Sequence, residues 1–135
     1  EIWLKAWGNL SFNPISALTH ATLVDICQFP LSRGLAERMM IEAQSIAGKL
    51  DITFRVPLEK RINGAEKVGK HKTSMLQDVE VGKALEVDAL VGSVVELGDL
   101  TGTPTPTISA IYEACKLLNH MLEQDKISIR SSPVS

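Results

Sequence analysis

The amino-acid sequence predicts an all-α protein made of several packed helices. Apolar residues recur every three or four positions along most of its 135 residues, which is the period of one helix face. The only alternation typical of a strand is short, at Ile52, Phe54 and Val56, and no second segment offers it a partner. The sequence contains no internal repeat or low-complexity tract. This pattern is typical of a helical bundle around one core.

Prolines bound the helices expected in the first half of the chain. The expected segments are residues 1–12, 15–20, 22–27, 35–50 and 58–67. The first should end or kink near Asn13, because Pro14 disfavours helical geometry in the residue before it. The fourth is predicted by an apolar stripe that runs from Leu35 to Leu50. The short alternation before Pro57 is interpreted as an extended connector.

Three further helices are expected in the second half. The segments are residues 74–81, 85–97 and 108–122, and Gly82 breaks the first from the second. The second should be central, because its apolar face is too broad for a surface helix. That face consists of Leu90, Val91, Val94, Val95 and Leu97. The stretch "TGTPTPT" (101–107) precedes the last helix, and the end of the chain is expected to fray.

Composition and charge exclude several classes of protein. Hydrophobic residues make up 44% and charged residues 22% of the chain, and the net charge is −2 with scattered basic residues, so no nucleic-acid partner is expected. No apolar run approaches the ~20 residues of a membrane helix, and the N-terminus lacks the basic, apolar and small-residue order of a signal peptide, so a cytoplasmic protein without a membrane partner is expected. Cys27 and Cys115 lie far apart in apolar contexts and are expected to be reduced thiols. The chain begins at Glu1 within an apolar periodic segment, so something upstream is expected to have been removed.

Several kinds of chemistry lack a motif. His20, His71 and His120 show no metal-ligand spacing with each other or with a cysteine, so no metal site is expected. No nucleophile elbow is present. The chain also lacks a glycine-rich strand-to-helix turn, so it is not expected to hold a whole nucleotide alone.

Three polar residues share one face of the first helix. Lys5, Asn9 and Asn13 are spaced by four and four, which places them within an arc of about 80°. They could form a solvent-facing stripe, with Asn13 ending the helix. Asparagine is, however, a poor residue for a helix interior, because its amide competes with the backbone. The two amides could therefore serve recognition.

Residues 71–90 could form a solvated helix face or one wall of a polar pocket. Ser74 could be a helix N-cap, with Gln77 completing a capping box. Glu86 could be a first-turn acid that the helix dipole favours. The other acids of this stretch, Asp78, Glu80 and Asp88, are expected to be solvated or structural.

Three segments, taken together, resemble the C-terminal helical domain of the ketopantoate reductases, or 2-dehydropantoate 2-reductases. They are "KAWGNLSFNPISAL" (5–18), "HKTSMLQDVEVGKALEVDALVG" (71–92) and "GTPTPTISAIY" (102–112). The Lys-x3-Asn-x3-Asn-Pro pattern and the Ser-Met-Leu-Gln-Asp stretch followed by Glu-x-Asp are specific in combination. The resemblance implies a multi-helix bundle of the 6-phosphogluconate dehydrogenase C-terminal-domain-like type over residues 1–125, with a tail at 126–135.

The resemblance also implies an activity and its partners. In that family an N-terminal Rossmann domain, absent from this chain, binds NADPH, and the helical domain closes the cleft over a 2-keto acid. The reaction reduces 2-dehydropantoate to pantoate in pantothenate biosynthesis. Because the domain that binds NADPH is absent, the isolated helical domain is expected to be inactive. On the family pattern Lys5 is the proton donor. The other roles are substrate binding by Asn9, Asn13 and Ser74 and a contact with the cofactor side by Glu86.

One departure and two rival interpretations accompany the resemblance. Leu23 stands where some members carry a further substrate-binding asparagine, which leaves open whether the substrate is ketopantoate or another 2-keto acid. The motif around Glu42 is too loose for a family role near the cleft to be assigned. The leading alternative is a non-catalytic helical module that forms a homodimer, and the next is a ligand-binding bundle without redox chemistry. An upstream strand, glycine-rich turn and helix would favour the enzyme.

Overall fold

Seven α-helices and one π-helical turn make up the described part of the protein. The computed structural model describes the backbone of residues 2–124 and the side chains of residues 7–124. In chain order the elements are α1 (Ile2–Thr19), α2 (Leu23–Gln28), α3 (Pro30–Lys49), α4 (Leu58–Val68), α5 (Ser74–Glu80), the π-helical turn (Asp88–Gly92), α6 (Ser93–Thr101) and α7 (Pro106–Glu123). No strand occurs within this range, so the all-α prediction is confirmed. The expected tail at 126–135 lies outside it.

Helix α1 occupies the centre of the bundle. It packs against α2, α3, α5, α7 and the π-helical turn. Its core face carries Trp7, Leu10, Phe12, Ile15 and Ala17, all of which are buried. Trp7 Nε1 donates a hydrogen bond to the Met40 carbonyl of α3 at 2.9 Å, and its ring stacks on Phe54 with the centroids 4.2 Å apart. Burial of each large apolar side chain stabilises such a core by about 1.5–3 kcal/mol.

The helix expected to be central is a peripheral one. It begins as the π-helical turn at Asp88, three residues later than predicted, and continues as α6 to Thr101. Val91 and Val94 are buried, whereas Leu100 is 75% exposed. All five residues of the predicted apolar face are buried or half-buried, yet α6 packs mainly against α3 and the π-helical turn, whereas α1 contacts five elements.

Helix α1 runs through Pro14 without ending. The expectation that the first helix ends near Asn13 and the prediction of a separate helix over 15–20 are therefore wrong. An interior proline removes one backbone hydrogen bond and costs about 3 kcal/mol. Leu10 and Ile15 are buried on either side of it, and their packing outweighs that local cost. The helix ends after Thr19, where His20 adopts a left-handed conformation with φ of 65°.

Backbone hydrogen bonds fix the segment that follows α4. This helix ends at Gly69, whose φ of 85° suits glycine. The Gly69 and His71 carbonyls then accept hydrogen bonds from the first two amides of α2, at Val24 (3.0 Å) and Leu23 (3.1 Å). These bonds hold residues 69–73 between α2 and α5, beside the asparagines of α1.

Both cysteines are free and buried, as predicted. Burial raises the pKa of the Cys115 thiol to about 12 and also raises the pKa of Cys27. Both thiols are therefore protonated at neutral pH. Among the described residues, no helix is both long enough and apolar enough to cross a membrane.

Candidate functional site

Two adjoining depressions lie along the polar face of α1. The first has a volume of about 320 Å³ and lies between α1, α2, α4 and the start of α5. Its polar lining consists of Asn9, Asn13, Arg61, His71, Thr73 and Ser74. The second has a volume of about 440 Å³ and lies between α1, α5 and the chain that enters the π-helical turn. Its polar lining consists of Asn13, Ser74, Asp78 and Glu86. Asn13 and Ser74 line both, so they form the wall that the two depressions share.

The asparagines of α1 face this concave surface. Both side chains are half-buried, and Asn13 lies one turn after Asn9. Neither side-chain amide is hydrogen-bonded to another residue within the described range. Both amides line the depression and have no partner among the described side chains, so a ligand role for them stays a prediction. Lys5 lies in α1 one turn before Asn9, but its side chain is outside the described residues, so its role stays a prediction.

Thr73, and not Ser74, is the N-cap of α5. Thr73 Oγ1 accepts a hydrogen bond from the Leu76 amide at 3.1 Å, and it is also hydrogen-bonded to the Ser16 hydroxyl of α1. The interpretation of Ser74 as a cap with Gln77 is therefore wrong, because the capping position lies one residue earlier. Ser74 is the first residue of α5, and its exposed hydroxyl has no partner among the described side chains.

Glu86 lies just before the π-helical turn and lines the second depression. Its exposed carboxylate has no hydrogen-bond partner within residues 7–124. The acid in the first turn is instead Asp88, which accepts hydrogen bonds from Tyr112 and from Lys116 at 3.0 Å. These two bonds, with that from Tyr112 the larger cause, hold the pKa of Asp88 below its usual value. Asp88 is therefore structural, as expected, whereas Asp78 belongs to the wall of the second depression.

Glu42 has a structural role away from this surface. Its carboxylate reaches from α3 to the start of α7 and accepts hydrogen bonds from the amides of Thr107 and Ile108, both at 2.9 Å. Thr105 precedes α7 but makes no side-chain cap. Glu42 thus supplies the cap that α7 lacks, from 65 residues away along the chain.

The sequence did not indicate that Arg61 and His71 line the first depression. In the sequence, His71 shows only the absence of metal-ligand spacing, and Arg61 is one of several scattered basic residues. A signal for Arg61 does exist, because Ala65 and Val68 follow it at the spacing of one helix face. All three line the depression. No group of three His, Cys, Asp or Glu side chains in the described part of the chain could hold a metal ion.

Fold and site together define a helical domain that presents amides, a hydroxyl and a carboxylate around one cleft. The comparisons with known proteins then place it in a family. Residues 1–119 match the family described as ketopantoate reductase PanE/ApbA C terminal. The chain belongs to the ketopantoate reductase family, as the sequence resemblance predicted.

Individual relatives agree with this assignment. A 2-dehydropantoate 2-reductase of Mesorhizobium japonicum is 57% identical over 118 residues, which cover 87% of this chain and 36% of the relative. A solved structure assigned to the ketopantoate reductases, from Ralstonia solanacearum, is 38% identical with a TM-score of 0.83, covering 89% of this chain and 36% of the other. The 2-dehydropantoate 2-reductase of Methylococcus capsulatus is 29% identical with a TM-score of 0.80, covering 89% of this chain and 42% of the other. The chain thus spans well under half the length of these relatives.

Proposed function

We propose that this chain is the substrate-side C-terminal domain of an NADPH-dependent 2-dehydropantoate 2-reductase. The enzyme reduces ketopantoate, or a related 2-keto acid, to the 2-hydroxy acid in the cytoplasmic synthesis of pantothenate. One observation carries the proposal. Asn9, Asn13, Ser74 and Glu86 come from three separate stretches of the chain, yet they line two depressions with a common wall.

The lining of the first depression suits a small branched keto acid. Its volume of about 320 Å³ is in the range of small-ligand sites. Amide and hydroxyl donors at Asn9, Asn13 and Ser74 can orient a carboxylate, a keto oxygen and a hydroxyl group. Phe12, Leu23 and Val68 supply apolar surface for methyl groups. The leucine at position 23 thus replaces a polar contact by an apolar one, which favours substrates with a branched carbon next to the keto group.

The described residues can make only a small part of a cofactor-binding site. They include no strand and no glycine-rich strand-to-helix turn, so a Rossmann domain of the same polypeptide is needed to hold most of the cofactor. The exposed Glu86 carboxylate fits a minor role, since it can accept hydrogen bonds from hydroxyl or amide groups of a nucleotide. Bound NADPH supplies the hydride that reaches the keto carbon.

The residues of α1 then act on the keto oxygen. When the keto carbon gains a hydride, negative charge develops on that oxygen and must be stabilised and protonated. Lys5 is the proposed donor of the proton, because it lies one turn before Asn9 on a continuous helix. Asn9 and Asn13 orient the substrate through neutral hydrogen bonds, each of which contributes about 0.5–1.5 kcal/mol. A rigid helix is a suitable carrier for groups that must keep a fixed spacing.

Turnover by the full-length protein tests the proposal. The polypeptide that contains this chain is assayed with NADPH and with NADH against ketopantoate and several branched and unbranched 2-keto acids. We expect oxidation of NADPH that depends on the keto acid and is fastest with a branched one. Binding of neither nucleotide nor keto acid would leave the non-catalytic module as the better interpretation.

Self-association is a separate property, which we propose alongside the enzyme. Leu100 of α6 and Leu117 of α7 are 75% and 63% exposed, and such surface apolar residues can pair between copies. Analytical ultracentrifugation over a range of concentrations measures this directly. A strict monomer at all concentrations would remove the homodimer.

A further inference from the structure

We infer that Arg61 binds the carboxylate group of the 2-keto acid, and that Gly8 keeps open the space in which its guanidinium lies. This inference rests on the proposed function and adds a specificity-determining residue to it. Neither residue was assigned a role from the sequence. Arg61 is on α4 and lines the first depression, whereas Gly8 is on α1, one residue before the lining residue Asn9.

The position of the guanidinium is defined by α1. A Cβ atom placed on Gly8 would overlap the guanidinium of Arg61, so the cation lies directly on the helix backbone at that residue. It also lies over the ring of Phe12, with 5.8 Å between the guanidinium carbon and the ring centroid. Asn9 lies between these two residues in the chain and lines the same depression as Arg61. Arg61 thus lines the same depression as the amides that are proposed to hold the substrate.

Arg61 has no acidic partner within residues 7–124, which is unusual for a half-buried cation. Arg33 provides the contrast, because its guanidinium pairs with Glu59 at 2.7 Å and with Glu66 at 3.3 Å. Burial lowers the pKa of Arg61, since its surroundings withdraw water and no acid among the described side chains pairs with it. A charge that is partly removed from water is costly unless it is paired. An anionic ligand in the depression would provide the missing partner.

A carboxylate is the anion that this geometry fits best. A guanidinium presents paired N–H donors that match the two oxygens of a carboxylate, which fixes the orientation of the group as well as its position. A 2-keto acid anchored in this way keeps its keto oxygen free for the residues of α1. Arg61 would thus make the site select acids over uncharged ketones of the same shape.

A purely structural role for Arg61 makes a different prediction. The methylene groups of an arginine can cover apolar surface while the charge remains near water. Under that interpretation, loss of Arg61 would harm every substrate equally, because it would disturb the packing of α4 on α1. The dependence on the carboxylate of the substrate therefore separates the two roles.

The test compares a 2-keto acid with its primary 2-keto amide in the full-length reductase. The first variant is Arg61→Met, which keeps the apolar stem and removes the charge. We expect KM for the acid to rise about ten- to a hundredfold and kcat/KM for the amide to change less than about threefold. Arg61→Lys should restore part of the preference for the acid, because it returns a charge without the paired donors. Lys60→Met is the matched control, since Lys60 is exposed on the same helix and lines neither depression.

Gly8→Ala provides an independent test that leaves Arg61 in place. The added methyl displaces the guanidinium, while alanine is a better helix former than glycine, so the helix itself is favoured. We expect Gly8→Ala to raise KM for the acid and to spare the amide, and the double variant with Arg61→Met to be no worse than Arg61→Met alone. Equal losses for acid and amide in both variants would overturn the inference. If the wild type reduces no 2-keto acid, the proposed function itself fails. If the wild type prefers the acid and the Arg61 variants keep the same preference, only this inference is refuted.

Discussion

Replacement of Glu42 by alanine should destabilise the protein through the start of α7. The Glu42 carboxylate accepts two backbone hydrogen bonds there, from Thr107 and Ile108, each 2.9 Å long. A hydrogen bond to a charged group contributes about 1.5–3 kcal/mol, and loss of a helix cap costs about 0.5–2 kcal/mol. Because the carboxylate is only half-buried, water replaces part of what is lost. We therefore expect Glu42→Ala to lower the free energy of unfolding by about 1.5–3 kcal/mol.

Urea unfolding of the purified chain, followed by circular dichroism, measures this loss. Glu42→Gln keeps one acceptor oxygen without the charge, so it should cost about half as much. Glu37→Ala is the matched control, because Glu37 is on the same helix and its side chain has no hydrogen bond to another residue in the described range. The reasoning is refuted if Glu42→Ala and Glu37→Ala agree within about 0.5 kcal/mol, which is the usual effect of an ordinary surface substitution.

Three further changes test the site and the core. Lys5→Ala in the full-length enzyme should lower kcat by about a hundredfold or more, which is the scale for loss of a positioned acid. Ser74→Ala should raise KM for the keto acid by about three- to tenfold with little change in kcat, because it removes one substrate hydrogen bond. The buried Cys115 thiol, with its pKa raised to about 12 from 9.0, should make stability fall above pH 9. The unfolded thiol ionises first, so at pH 10 the protein should lose about 1.4 kcal/mol that a Cys115→Ala variant does not lose.

Each of these changes has its own control. A loss in kcat below threefold in a folded Lys5→Ala variant would remove Lys5 from the chemistry. Ser93→Ala is the control for position 74, because Ser93 Oγ donates to the Ala89 carbonyl at 2.9 Å and lines neither substrate depression. If both serine variants have the same KM, Ser74 does not bind substrate. Parallel pH dependences of wild type and Cys115→Ala between pH 8 and 10 would contradict the buried thiol.

The helices were largely predictable from the sequence, whereas what ends or caps them was not. Apolar periodicity located α3 and α7, because burial of one face dominates their stability. The continuity of α1 through Pro14 was not visible, since it depends on packing against helices far along the chain. The same holds for the α7 cap, which Glu42 supplies from α3. Local patterns do not contain such long-range contacts.

Some residues of the candidate site could be predicted from the sequence and others could not. Asn9, Asn13, Ser74 and Glu86 were predicted through the combined motifs of the family, and these four residues line two adjoining depressions. The capping pattern alone suggested the wrong role for Ser74, because a threonine one residue earlier competes for the same position. Arg61 was missed because a single basic residue in a polar helix has no distinctive pattern. Its setting became apparent only when the neighbouring backbone of α1 was in place.

Because α1 is one continuous helix, it couples the stability of the core to the position of the two asparagines. Trp7 and Leu10 anchor this helix inside the bundle, and Asn9 and Asn13 line the first depression. A substitution that loosens the anchor would also misalign the amides, so heat resistance and turnover should decline together. Substitutions that change the substrate range should therefore accumulate more readily at lining positions outside α1, such as Leu23 of α2, than along α1 itself.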